Sequence, residues 1–266
     1  MTVLDFFTAH PVFSREEFIR FLTARGAPSV ETANVHLKRY LAAGRIARVK
    51  RGVYFAAGPG ETAERAALDF PLMVSRLTPD AVLAYHTALE AHGYAQSLFE
   101  RLFFLTTSKA KPVVFRGRRF VPVVPSATLR RKKKAFAFCT EVERRGLPCR
   151  VTTVERTLVD VLDRPDLAGG LEEAWRSLAG IPMFDLEVVV QYVRLCGQGT
   201  LAAKVGFFLE QHQEALGVPT EILERLRRMR PRQPHYLDRR HGGRMAPGWN
   251  LVVPPPLLAG EWEAVR

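Results

Sequence analysis

Thr32, Val35, His36, Lys38 and Arg39 lie within eight residues of one another at helical spacing, and Lys50 and Arg51 follow between two short apolar runs. A hydroxyl, an imidazole and a guanidinium on one helix face can hydrogen-bond base edges, and an exposed valine can touch a thymine methyl. Lys38, Lys50 and Arg51 suit phosphate, which sets register without reading sequence. Arg39 can reach a guanine or a phosphate. Ser29, the expected N-cap of the helix, adds a hydroxyl at its start.

That chemistry needs elements to hold it. Residues 2 to 9 can form a short helix, after which Ser14 reads as an N-cap with Glu16 and Glu17 in the first turn, where the positive end of the helix dipole favours carboxylates. Arg25-Gly26-Ala27-Pro28 ends this second helix. In the third, Val30, Ala33, Leu37, Tyr40 and Leu41 fall on one side and predict packing against the first two. Gly44 stops it, and RIARVKRGVYFAAG follows as a hairpin, with Gly52 supplying the positive φ of a tight turn and Tyr54 and Phe55 anchoring opposite faces. Three helices and a hairpin are the order of a winged helix-turn-helix. Small helical domains ending in a hairpin also make protein contacts, and that reading stays open beside DNA binding.

AAGPGETAER, residues 56–65, reads as a boundary between a DNA-binding domain over 1–58 and a larger domain over 62–266. A helix is expected from Glu64 to Leu77 and another from Pro79 to Gly93. Beyond it, LFFLTT, PVVFRG, RRFVPVV and AFAFCTEV predict a small antiparallel sheet, separated by SKAK, Gly117 and SATLRRKKK. Residues 101–140 hold eleven Lys/Arg and no Asp/Glu, against nine and four in residues 1–60. Lys109, Lys111, Arg116, Arg118, Arg119, Arg130, Arg131, Lys132, Lys133 and Lys134 form this second basic surface. It fits DNA phosphate or an acidic partner as a unit, and a solvated face residue by residue.

Other clusters point to structure rather than catalysis. HTALEAH places His86 and Glu90 four apart with His92 beyond, which is not the two-histidine geometry of a zincin. In VTTVERTLVDVLDRPDLAGGLEEAWRSL, Thr152 and Glu155 read as a capping box, and helix-end or salt-bridge roles account for Asp160, Asp163, Asp166, Glu172 and Glu173 beside Arg156. No P-loop, GxGxxG, nucleophile elbow or HExxH is present, so no enzyme, metal or cofactor is expected. Residues 225–244 hold eight arginines and one acid, suited to a second DNA contact, a docking surface or a solvated face.

RVKRGVYF after a helix-turn-helix, YHTALEAHG, TTVERTLVDVLDRPDLAGG, LAAKVGFFLEQ and WNLVVP, in that order, resemble the segments of AbiEi-type proteins, the antitoxin and repressor of type IV toxin-antitoxin systems. The resemblance implies an N-terminal winged helix-turn-helix, a C-terminal α+β antitoxin-like domain, autoregulation through promoter inverted repeats, and opposition to a nucleotidyltransferase-like toxin. It implies DNA-binding roles for Lys50, Arg51 and the face of the third helix, and no catalytic residue. The alternatives are a solitary winged-helix regulator whose second domain binds a ligand or protein and, further off, a divergent nuclease.

The chain has 266 residues, 47% of them apolar, and a formal charge of +12. That bulk allows two cores, and that charge favours a polyanionic partner. Cys139, Cys149 and Cys196 follow no metal or disulfide spacing, and no signal peptide or run of about 18 apolar residues appears. A cytoplasmic α+β protein bound to no membrane is the expectation.

Overall fold

The computed structural model describes residues 2–26, 30–239 and 242–258. Its class is α+β. The N-terminal part runs α1 (Val3–Ala9), β1 (Val12–Ser14), α2 (Arg15–Thr23), α3 (Val30–Ala42), β2 (Ile46–Lys50) and β3 (Val53–Ala56). Phe6, Phe7, Phe13 and Phe18 fill the space between its helices, with rings 5.4–6.0 Å apart. The strands form an antiparallel sheet in the order β1-β3-β2.

That sheet is covered on both sides. Ile46, Tyr54 and Ala56 face the helices, whereas Val12, Val49, Val53 and Phe55 join a cluster with Leu72, Leu102, Phe104, Phe120 and Val151 from further along the chain. A strand buried on both faces reads as a continuous apolar run, as Val53–Ala56 does. The segment expected as a boundary is itself packed, with Ala57, Ala63 and Ala66 buried.

The larger part begins with α4 (Phe70–Ser75), β4 (Val82–Leu83), α5 (His86–His92), β5 (Arg101–Leu105), β6 (Val113–Phe115), β7 (Arg118–Val123), α6 (Ala127–Arg131), β8 (Cys139–Arg144) and β9 (Leu147–Thr152). Among the described residues its sheet has six strands, ordered β6-β7-β5-β4-β9-β8. The expected antiparallel sheet is in fact mixed, because β5 pairs parallel with β7 and β4 parallel with β9. The helical layer follows as α7 (Val154–Asp163), a 3-10 turn (Pro165–Ala168), α8 (Leu171–Ala179), α9 (Leu186–Cys196), α10 (Gly199–Gln211) and α11 (Thr220–Arg227). A small sheet of β10 (His235–Tyr236), β11 (Arg244–Ala246) and β12 (Leu251–Val253), then α12 (Pro255–Leu258), ends the described chain. No helix among these residues is long and apolar enough to cross a membrane.

Several local expectations are corrected. The helix expected from Glu64 starts at Phe70, because Asp69 accepts from the Leu72 amide and makes the N-cap there. Val82 and Leu83 pair with Leu105 and Phe104 instead of continuing a helix from Pro79. Tyr85, at φ 56°, breaks the chain before α5, and Gly93 in the left-handed region ends it as expected. AFAFCTEV is a strand only from Cys139 on, SATLRRKKK contains α6 capped by Ser126, and Leu147–Thr152 is a strand the alternation did not reveal. Thr153, not Thr152, caps α7, since Thr152 belongs to β9 and bonds Thr157. Val30, expected inside, is 44% exposed, because the first residue of a helix leans past its end.

Arg156 is the charged residue most deeply committed to this fold. Its Nε meets Asp160 at 3.0 Å, and Nη1 donates to the carbonyls of Ala135 and Ala137, so one side chain pins the turn before β8 to α7. The Tyr192 hydroxyl donates to the other Asp160 oxygen at 2.7 Å. Burial disfavours the charged guanidinium, but Asp160 outweighs it and raises the Arg156 pKa. Removing one partner of a buried pair strands the other charge, so Arg156→Ala should cost about 3–5 kcal/mol in urea unfolding. Tyr192→Phe should cost less, roughly 1.5–3 kcal/mol for one bond to a charged group.

Candidate nucleic-acid interface

The N-terminus of α2 fixes the first part of the site. Ser14 Oγ accepts from the Glu17 amide and Glu17 Oε2 accepts from the Ser14 amide at 2.6 Å, a reciprocal cap that holds Arg15 at the first helical position. The Arg15 amide then donates to the Gly52 carbonyl at 2.8 Å. Its side chain turns to α3, where Nε and Nη2 both donate to Asn34 Oδ1 at 3.1 and 2.9 Å. One residue therefore ties α2, α3 and the tip of the β2–β3 hairpin together.

Along β2, Ile46 and Arg48 lie on the helix side, and an irregularity between Arg48 and Lys50 shifts the register at the tip. Arg15, Arg48 and Arg51 consequently line one groove of about 820 Å³ with Glu16, Gly52 and Tyr54. Arg48 and Arg51 make no ion pair or side-chain hydrogen bond among the described residues. Lys50 faces a second groove of about 480 Å³, which it shares with Arg51, Arg20, Arg76, Thr78 and Pro79 and with the carboxylates of Glu16 and Glu17, the latter paired with Arg76. Partial burial lowers the Lys50 pKa from the ordinary lysine value.

On α3 the exposed face carries Glu31, Val35, Lys38 and Arg39, and Val35 is 65% exposed. Thr32 and His36 are half-buried at its edges. Arg39 lies over the Tyr40 ring at 5.1 Å, with Nη2 3.3 Å from His36 Nδ1. Ser29 falls outside the described residues. The expected face is brought together with the hairpin, while Arg15, Asn34 and Arg48 are members that sequence reasoning missed. Asn34 is three residues after Glu31 and four before Lys38, so the wheel contained its signal; Arg15 declared itself only through a contact nineteen residues away.

The second basic surface occupies two places. Lys109, Lys111, Arg116, Arg118 and Arg119 belong to the approach to β6 and to the β6–β7 hairpin, whereas Arg130–Lys134 belong to α6 and the turn after it. Part of it supports the fold: Arg116 donates to the Ala66 carbonyl at 2.6 Å, Arg118 to that of Phe99, Arg130 to that of Pro125 and Lys132 to that of Leu195. The C-terminal arginines are partly neutralised as well, with Arg225 on Glu187 and Arg227 on Glu210 and Glu224.

His92 Nε2 lies 2.7 Å from the Thr152 carbonyl, and His86 is buried between Glu90 and Glu173. Among the described residues no set of three His, Cys, Asp or Glu is placed to hold a metal.

No protein-family model matches the chain, and no curated protein matches it. Among solved structures, the crystal structure of the RV2827C protein from Mycobacterium tuberculosis is similar, with a TM-score of 0.61 and 18% identity over 94% of this chain and 89% of that one. At that identity the likeness is one of fold. Gly52, at φ 80°, sets the hairpin tip and has open space around it. Gly52→Ala should therefore cost only the backbone strain, about 1 kcal/mol, read as a lower urea midpoint with an unchanged slope.

Proposed function

We propose that this chain binds duplex DNA sequence-specifically as a winged helix-turn-helix regulator, with α3 in the major groove and the β2–β3 hairpin as the wing on the flanking backbone. The observation that carries the reading is the groove where Arg15, Arg48 and Arg51 converge beside α3. Three guanidiniums against one carboxylate form a site for an anion, and guanidinium geometry matches phosphate bidentately. Arg15 links this groove to α3 through Asn34, and Arg51 and Gly52 of the hairpin tip line it, which suits a backbone strand leaving the major groove.

Within this arrangement Thr32, Asn34, Val35, His36 and Arg39 face the base edges, and Lys38, Lys50 and Arg51 hold phosphates. Arg15 binds phosphate with its remaining N–H groups and keeps the Asn34 carbonyl occupied, so that Asn34 presents its amide as a donor. The physiological duplex on this reading is the gene's own promoter, with inverted repeats. Opposition to a nucleotidyltransferase-like toxin extends the reading on the AbiEi resemblance; rescue of growth when the chain is co-expressed with such a protein from the adjacent reading frame checks that extension.

Gel shifts on the upstream region and on random duplex, each at two salt concentrations, test the DNA reading. Arg39→Ala should narrow the gap between the two duplexes. Lys50→Ala, Arg51→Ala and Arg48→Ala should weaken binding to both and lower the salt slope by about one per lost phosphate contact. Equal affinities and slopes in the wild type and all four variants would sink the assignment.

A further inference from the structure

Lys109 and Lys111 are separated in sequence from the hairpin tip by almost sixty residues, yet the fold anchors both ends of their loop on elements that adjoin the hairpin. The groove that contains Lys50 and Arg51 is walled on its other side by Thr78 and Pro79. The next residue, Asp80, is a clasp. Its Oδ1 accepts from Thr106 Oγ1 at 2.5 Å and Ser108 Oγ at 2.9 Å, and its Oδ2 accepts from the Thr107 amide at 2.7 Å and Thr107 Oγ1 at 2.6 Å. Thr78 adds a bond to Thr106 at 3.1 Å. Burial alone would raise the Asp80 pKa, but these bonds outweigh it and hold the carboxyl well below the usual carboxylate range.

The far end of the loop is fixed as firmly. Val113 starts β6, which lies against β2, and Phe115 of β6 meets Phe55 of β3 edge-on at 6.5 Å between ring centres. Residues 109–112 therefore bridge from the Asp80 clasp to the flank of the hairpin, a reach that five residue steps limit to about 18 Å. Both lysines are exposed and make no ion pair or hydrogen bond among the described residues. Two free ammonium groups thus sit on a loop whose two anchors adjoin the hairpin and the groove that Lys50, Arg51, Arg20 and Arg76 line with Glu16 and Glu17, with no carboxylate between Arg101 and Thr140 in the sequence to neutralise them.

We infer that the 108–112 loop is a second phosphate-binding site for duplex DNA, continuous with the wing and held in place by Asp80. This rests on the DNA reading above and extends it: the track crosses from the first part of the chain onto the second, and only the Lys109–Lys111 half of the basic surface lies on it. Asp80 is a positioning residue, since its own charge would repel a phosphate and its carboxylate oxygens are occupied by the loop.

The test uses the full chain and a 30-base-pair duplex from its own upstream region, with binding measured across a salt series and the contacts mapped by hydroxyl-radical footprinting. The double variant Lys109→Ala/Lys111→Ala should lower the salt slope by about two and lose protection only at the wing-side end of the footprint. Asp80→Asn should lose part of the same slope, and nothing more when added to the double lysine variant. A slope and footprint unchanged by the lysine pair, while Arg51→Ala lowers the slope, would overturn the second site and leave the DNA reading standing. A wild-type chain that binds neither this duplex nor a random one would remove both.

Discussion

Tyr54 and Phe55 are neighbours in sequence, yet both are almost wholly buried, on opposite faces of one three-stranded sheet. An isolated hairpin is marginal in water and stands only when a face is packed. This one is packed on both. Each large apolar side chain so buried contributes roughly 1.5–3 kcal/mol, and the sheet places Phe13 and Tyr54 in one cluster and Val49, Val53 and Phe55 in the other. The hairpin therefore cannot swing without opening two cores. Arg48, Lys50 and Arg51 stand on a fixed platform, and the entropy of arranging their backbone is lost in folding rather than on binding.

The same constraint explains how the excess positive charge is divided. A basic surface inferred from composition counts every cation equally. In the fold, Arg116, Arg118, Arg130 and Lys132 donate to backbone carbonyls, and Arg156, Arg225 and Arg227 pair with carboxylates. Arginine suits the buried roles, because a planar fork can serve a carboxylate and several carbonyls together while remaining charged. What remains free is smaller, and among the described residues it includes Arg48, Lys50 and Arg51 at the hairpin, Lys109 and Lys111 before β6, and Arg131, Lys133 and Lys134 in and just after α6.

The three N-terminal helices and the hairpin were legible because each carries a local signal, whereas β1 was not expected, because it is 3 residues long and pairs with β3, far along the chain. Ser14 with Glu17, the periodicity of Ala33 and Leu37, and Gly52 between two apolar runs all act within a few residues. The larger part was harder, since its strands are short and paired at long range. Val82–Leu83 has two residues in the sheet, too few for alternation to show, and the parallel pairings of β4 with β9 and β5 with β7 are set by what covers the sheet. The exposed face of α3 could be drawn from a wheel. Arg15, whose contacts are to Asn34 in α3 and to the Gly52 carbonyl at the hairpin tip, could not, because both partners are far along the chain and are its neighbours only in space.

The hairpin tip shows how much a single irregularity decides. In a regular strand Arg48 and Lys50 would share a face, since side chains alternate with a period of two. The register shift between them separates the two, leaving Arg48 in the groove beside α3 and Lys50 in the groove beside Pro79, with Arg51 lining both. Bulges of this kind re-aim side chains at the ends of paired strands. The tip thus carries cations into both grooves, where an unbulged strand would have directed two of them to one side and left Arg51 as the hairpin's one cation in the second groove. An extended polyanion, whose charges repeat along a line, matches cations in two grooves better than a compact anion, which one groove would satisfy.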